Sequence, residues 1–301
     1  MIDYSSLRAV ALVVQTGSFE KAARALHVTP SAVSQRVKQI EERLGAALVA
    51  RGVPCVATET GLRLCRHMEQ VGLLEQELLG QLPGLAAAGP QLRASVPVAV
   101  NADSLGTWFL EAAAAFHAET GHLLAIAVDD QDHTADRLRE GRALAAVTGL
   151  GRPAPGCRTI PLGALRYHAT ASPAFVARHF PKGVTAEALA AAPALTYDRK
   201  DGLQALWTER LLGRAVVGPT HWLPSTEGFV EAALRGMGWG LNPAALAGPH
   251  LAAGRLTELV PGAVLDVPLH WQANRLAGER LAPLTRAVVA AARRALVQGE
   301  G

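Results

Sequence analysis

The spacing of apolar residues changes character near residue 91, and no other feature of the chain constrains the fold as much. Before that point apolar residues recur every three or four positions, whereas beyond it short β-prone runs alternate with helical stretches. One layer cannot satisfy both patterns, so the chain reads as a helical head followed by an α/β body. With 301 residues, each part is long enough for a core of its own. Half of the residues are apolar and 18% are charged, which excludes wholesale disorder. No run of eighteen apolar residues occurs, so no membrane span is expected. The opening MIDYSSLRAV has no export signal, and a cytoplasmic location is expected.

Residues 1–58 form the head. Leu7, Val10, Ala11 and Val14 line one face of a first helix, which Gly17 stops. Ser18 can cap a second helix carrying Phe19, Ala22, Ala23 and Leu26. Thr29 then serves as N-cap for a third helix, with Pro30 at its first position. Val33, Val37, Ile40 and Leu44 make its inner stripe, and Gly45 ends it. The following LVARGVPCVATETG, broken at Gly52 and Pro54, suits a small hairpin or wing.

With that stripe inward, Ser31, Ser34, Gln35 and Lys38 face outward. A major-groove helix needs small hydroxyls near its N-terminus, and a Gln there can bond adenine through N6 and N7. Lys38, Arg36 and the wing's Arg51 suit flanking phosphates, which fix register without reading sequence. Taken singly, such residues usually mean a solvated polar face. The order helix, turn, helix, Pro-led helix and wing favours DNA. Charge alone says little: the chain carries +3, and residues 1–60 hold seven Lys or Arg against five acids. Affinity for a polyanion must therefore come from placement and from pairing two heads.

Residues 59–90 read as a linker helix and hinge. Leu64, Met68, Val71, Leu74, Leu78 and Leu82 are spaced by threes and fours, close to a heptad seam. Either the stripe packs on the protein's own core, or it pairs with a second copy of itself.

Residues 91–301 carry strand candidates at 94–100, 123–128, 145–148, 167–171, 194–197, 239–241 and 267–272, with helices at 105–119 and 229–234 among those between them. A mainly parallel sheet in two lobes is expected, lobe I from about 91–164 and 268–301 and lobe II from about 165–267. Ligands in such folds sit where strand ends meet helix N-termini. The NADSL segment places Asn101 and Ser104 there, and PSTEGF places Thr226 there, in a setting that favours a carboxylate. Plain N-capping is the alternative for Ser104 and Thr226. Asp129, Asp130 and Asp132 follow the second strand, and Asp198 and Asp201 follow another; such acids suit a guanidinium or ammonium, or are ordinary loop caps. Trp108, Trp222 and Trp239 either wall the cleft or fill the core.

Catalytic signatures are missing. The chain contains no GxSxG, HExxH, Walker loop or GxGxxG, and GMGWG at 236–240 has the wrong spacing. Cys55, Cys65 and Cys157 are too few and scattered for a disulfide framework or a metal knuckle. No metal, no cofactor and no enzymatic activity are expected. Two other readings are an amino-acid-binding protein or hydrolase whose head only mediates assembly, and a low-specificity nucleoid-type DNA binder. An assembly module has no need of Ser34 and Gln35 opposite an apolar stripe, and a nucleoid binder has no need of an acidic cleft.

The stretch GSFEKAARALHVTPSAVSQRVKQIEERLGAALVAR closely resembles the N-terminal signature of LysR-type transcriptional regulators. SAVSQRVKQIE, VPCVATETG, VAVNADSLGTWF, DQDH, YDRKDGLQ and STEGFVEAA resemble the ArgP/LysG branch, which controls basic amino acid export, so the likeness covers nearly the whole chain. It implies a winged helix-turn-helix, a linker helix that dimerises antiparallel to its twin, and an effector domain like a periplasmic binding protein. By position it also implies Ser34 and Gln35 at bases, Thr29 and Ser31 near the DNA backbone, and Arg51 in the wing. Many relatives carry Arg where this chain has Gln35, which favours adenine over guanine. The implied partners are double-stranded DNA, lysine or arginine as effector, further copies in a dimer or tetramer, and RNA polymerase. Ser104 and Thr226 would hold the amino acid backbone, and one or two of Asp129, Asp130, Asp198 and Asp201 its cationic tail.

Overall fold

Three side-chain caps in succession start the helices of the head. Asp3 accepts from the Ser5 amide at 3.0 Å, Ser18 from Lys21 at 3.4 Å and Thr29 from Ala32 at 3.2 Å. They open α1 (Tyr4–Thr16), α2 (Phe19–Leu26) and α3 (Pro30–Leu44). Left-handed Gly17, His27 and Gly45 close them in turn. The computed structural model describes residues 3–81, 95–128, 134–139, 142–278 and 280–299. These fall into two compact units, residues 1–96 and 97–301.

Leu7, Val10 and Val13 of α1, Ala22 and Ala23 of α2, and Val33, Val37 and Ile40 of α3 are buried in one core. The α3 stripe stops short of its expected length: the chain reverses at Gly45, and Leu44 in the final turn is left 49% exposed. Strands β1 (Val49–Ala50) and β2 (Val56–Ala57) pair antiparallel as the wing. Glu41 of α3 anchors the wing's entry, its Oε1 accepting from the amides of Leu48 and Val49 at 2.8 and 3.2 Å.

Thr58 begins α4 (Glu59–Gln81), its hydroxyl accepting from the Gly61 amide at 3.1 Å. A Cβ on Gly61 would lie 2.0 Å from the Leu48 carbonyl oxygen, so only glycine lets α4 approach the wing this closely. The apolar seam of α4 divides. Leu64 and Met68 pack on the head's own core, whereas Leu74 is 49% exposed; Leu82 lies outside the described residues.

Strand β3 (Ser95–Val100), most of it in the second unit, leads into a helical run: α5 (Ala102–Ser104), a π-helical turn over Leu105–Phe109, and α6 (Leu110–Thr120). Then come β4 (Leu123–Val128), α7 (Thr134–Arg139), β5 (Ala145–Thr148), β6 (Cys157–Ala171), α8 (Pro173–His179), α9 (Ala186–Ala191), β7 (Ala194–Thr196), α10 (Leu203–Leu212) and β8 (Thr220–Trp222). The chain finishes with α11 (Thr226–Leu234), β9 (Gly240–Pro243), α12 (Ala244–Ala252), β10 (Thr257–Glu258), β11 (Leu265–Asn274) and α13 (Ala282–Ala295).

The main sheet runs β10-β6-β11-β5-β3-β4, with β9 also on β6. Its two longest strands cross between the lobes as antiparallel neighbours, from Leu265↔Tyr167 to Asn274↔Cys157. The remainder of lobe I gathers at one end of this pair: β5 lies against β11, β3 runs parallel to β5, and α13 packs on α6. At the other end β9 and β10 flank β6, and the parallel pair β7–β8 joins through an Ala194↔Trp239 bridge. The sheet is therefore not mainly parallel. Helical crossovers enforce parallel pairing for β3 and β5, but β11 returns from lobe II and runs against both β5 and β6.

Candidate functional site

The caps and core of the head place α3 with one face outward. Thr29, Ser31, Gln35 and Lys38 are exposed, and Ser34 and Arg36 are half-buried between them and the core. The Thr29 and Ser31 hydroxyls lie 3.0 Å apart at the helix N-terminus. One turn on, Lys38 pairs loosely with Glu42 at 3.5 Å, a contact exposed enough to be exchanged for a phosphate. Hydrogen bonds from Ser6 hold the carboxyl of Asp3, the cap of α1, below the usual range, and the charge of Arg36 adds to this in a minor way. Arg51 in the wing places its guanidinium 5.3 Å from the Phe19 ring centre, a cation–π contact that fixes the wing against α2. Thr29, Ser31, Gln35, Lys38 and Arg51 thus share the exposed surface of one small unit.

The second unit places the other group of residues where the two lobes meet. Asn101 sits at the N-cap of the helical run but its side chain caps nothing, and Ser104 does not cap either. Both are buried, at 4% and 0% exposure. Asn101 Oδ1, Ser104 Oγ and the Trp108 Nε1 have no hydrogen-bond partner among the described residues. A buried polar atom without a partner costs about 1–3 kcal/mol, so three within two turns mark a surface built for polar contact. Thr226 likewise is not the cap of α11; Ser225 is, accepting from the Gly228 amide at 3.0 Å. Plain N-capping is therefore not what Ser104 and Thr226 do.

Thr226 instead donates its hydroxyl to Asp103 Oδ1 at 2.6 Å, and the Tyr167 hydroxyl donates to Asp103 Oδ2 at 2.7 Å. Tyr167 lies on β6 opposite Pro243 of β9, so both donors come from lobe II and the carboxylate from lobe I. Asp103, which the sequence does not single out, is the residue through which Thr226 and Tyr167 meet this segment. It belongs to the same NADSL segment and follows a strand, as the acids considered for cation recognition do.

The remaining candidates distribute unevenly. Asp198 Oδ1 accepts from the amides of Lys200 and Asp201, and Asp201 accepts from those of Tyr197 and Leu203, so both carboxylates brace their own loop. Asp129, Asp130 and Asp132 lie outside the described residues. Trp108 and Trp239 are core, and Trp222 is 52% exposed. His270, opposite Thr148 on β11, carries a buried Nδ1 without a partner among the described residues, and burial holds its pKa below the ordinary value. Among the described residues no group of three or more His, Cys, Asp or Glu is arranged to hold a metal, and no helix is long and apolar enough to cross a membrane.

Two family models match the two units. Residues 4–62 match the bacterial regulatory helix-turn-helix protein family of LysR type, and residues 90–297 match the LysR substrate binding domain. The regulator LysG of Mycobacterium tuberculosis is 47% identical over 291 residues, covering 97% of this chain and 94% of its own. The crystal structure of ArgP from Mycobacterium tuberculosis superposes with a TM-score of 0.76 at 45% identity, covering 100% of both chains. Full-length LysG from Corynebacterium glutamicum with bound effector Arg has a TM-score of 0.62 at 38% identity, covering 98% of this chain and 100% of its own. The head and the two-lobed body thus agree with these matches over nearly the whole length, and the chain belongs to the LysR family of bacterial helix-turn-helix transcriptional regulators, which bind DNA and are not enzymes.

Proposed function

We propose that this regulator reads its operator with Ser34 and Gln35 of α3, sets its register through Thr29, Ser31, Arg36, Lys38 and Arg51, and answers to lysine or arginine held between the lobes. The observation that carries the effector reading is the group of buried, unpartnered polar atoms at Asn101 and Ser104, beside Asp103 and facing Thr226. The amides at the start of a 19-residue helical run and the Ser104 hydroxyl suit an α-carboxylate. Acids suit the cation of the side-chain end, and Asp129, Asp130, Asp198 and Asp201 are the candidates for it. The LysG of C. glutamicum, which holds arginine, supports the ligand class.

Two heads on one DNA face require a dimer, and the exposed Leu74 on α4 supports pairing through that helix. Two such dimers on neighbouring half-sites would make a tetramer that bends the DNA. The ligand acts by favouring one arrangement of subunits over another, which requires a different affinity for the two. The new arrangement changes how the complex meets RNA polymerase at an exporter gene. A thermal-shift screen of the twenty amino acids with DNase footprinting tests this: lysine or arginine raises the melting temperature and alters the footprint. If neither ligand moves either readout, the effector assignment is wrong.

A further inference from the structure

We propose that residues 296–298, which follow α13, clamp the crossing strand β6 at a bulge and so fix the angle at which the lobes meet. The register of β6 against β11 slips here: Gly163 faces Leu269 while Pro161 faces His270, which passes over Leu162. A bulge leaves its extra residue outside the ladder and bends the strand. The slip lies where β6 leaves lobe I, so it forms a joint in the crossing.

Two contacts from the segment close on that joint. Ala164 and Val297 exchange both backbone hydrogen bonds, at 2.8 and 2.9 Å, on the edge of β6 opposite β11. The Gln298 side-chain amide donates to the carbonyls of Leu296 at 3.0 Å and Leu162 at 3.1 Å, with that of Ala292 at 3.4 Å. Leu162 is the bulged residue and Leu296 is the C-cap of α13, so one amide group ties a helix end to the bulge. Glycine is required at 163. Its φ is +110°, and a Cβ there would stand 2.6 Å from Gln298 Nε2 and 2.7 Å from the Val297 carbonyl oxygen.

The segment is carried by a helix fixed to lobe I. Leu284, Val288 and Ala291 of α13 are buried, and Arg286 and Arg294 pair with Glu119 and Glu111 of α6 at 2.6 Å each. The clamp therefore joins a packed element of lobe I to the strand that continues into lobe II. Tyr167, whose hydroxyl donates to Asp103, lies three residues beyond Ala164, about 10 Å along β6. Bending at the bulge moves Tyr167 relative to Asp103, and the clamp opposes that bending. Gln298 is a positioning residue in this scheme.

Hydrogen exchange on the full-length protein without ligand tests this. Gln298→Glu keeps the shape but sets an acceptor against the carbonyls, whereas Gln298→Lys sets ammonium donors among them. Gln298 is exposed, so neither change opens a cavity. Gln298→Glu is expected to speed exchange about tenfold at residues 162–166. It is also expected to speed exchange at least about threefold at residues 226–230, across the lobe contact from the clamp. Gln298→Lys is expected to stay near the wild type at both places. Faster exchange confined to residues 162–166 and 292–298 would make the segment a local staple and overturn the proposal. Unchanged exchange, or Gln298→Lys behaving like Gln298→Glu, overturns it as well. Gln298→Ala, which only truncates the side chain, replaces Gln298→Glu if that variant fails to fold. The measurement uses no ligand, so its outcome is separate from that of the effector reading.

Discussion

Asp103 and Thr226 stand 123 residues apart in sequence and on opposite lobes, and a 2.6 Å hydrogen bond joins them, the threonine hydroxyl donating to the carboxylate. A bond of this kind is worth about 1.5–3 kcal/mol when one partner is charged. On the proposed effector reading, it is made in the wall of the cleft that holds the ligand. Closure and recognition therefore draw on the same few groups, and substitutions there separate the two.

Ser104→Ala is the cleanest of these. The Ser104 hydroxyl is fully buried and has no partner among the described residues, so its removal costs no hydrogen bond seen among them. The melting temperature without ligand is expected to stay the same or rise, since an unsatisfied buried hydroxyl carries a penalty of about 1–3 kcal/mol. Lysine affinity is expected to fall about tenfold or more through the lost bond to a charged group. Thermal melts paired with calorimetry check this. Lost stability with unchanged affinity would mean that Ser104 is a packing residue.

On the head, Gln35 and Lys38 are both exposed on α3 but are expected to fail differently. Gln35→Ala should flatten the preference at one position of each half-site, where a bidentate contact to adenine discriminates by about 1–3 kcal/mol. Lys38→Ala should weaken all sequences alike and reduce the salt slope by about one. Lys38 gives up only a 3.5 Å exposed pair with Glu42 to reach DNA. Binding measured on single-base operator variants at several salt concentrations distinguishes them, and a uniform loss for Gln35→Ala would remove that residue from base reading.

Gly61→Ala is expected to destabilise the head by about 3 kcal/mol, at the upper end of overpacking costs. A Cβ there would lie 2.0 Å from the Leu48 carbonyl oxygen, and that backbone is held in turn by Glu41 through the Leu48 amide. Neither side can yield cheaply. Chemical denaturation followed by head-specific hydrogen exchange measures the loss, and an unperturbed head would show that α4 can shift away from the wing.

The head was legible because its signals are local. Caps at Thr29 and Ser18, Pro30 at a helix start and left-handed glycines act within a few residues of where they stand. Leu44 was the miss, because periodicity extends a stripe without saying where the neighbouring helices end. In the body, strand positions were readable but pairing was not. The first half of β6 carries Pro161 and Gly163, which hide a strand, and its partner β11 lies about a hundred residues away. The proposed site is only partly legible for the same reason. NADSL and PSTEGF marked the two helix starts, yet nothing in either shows that Asp103 faces Thr226 across the cleft.

The final prediction concerns pH. Burial lowers the pKa of His270 below its ordinary value of 6.5, with a hydrogen bond to the Gly149 backbone working in the opposite direction. The ring's Nδ1 is buried without a partner among the described residues, and its Nε2 side lies against Gly151, whose added Cβ would be 3.3 Å away. Well above pH 6.5 the ring is neutral in both folded and unfolded chains and contributes nothing to pH dependence. As pH falls below 6.5 the unfolded chain takes up the proton first, so stability is lost progressively until the folded ring titrates as well. His270→Asn has no such proton to take. Its melting temperature is expected to hold closer to constant between pH 7.5 and about 5, while the wild type drops relative to it below about 6.5. Parallel pH slopes for the two proteins would show that His270 titrates as freely in the folded chain as in the unfolded one.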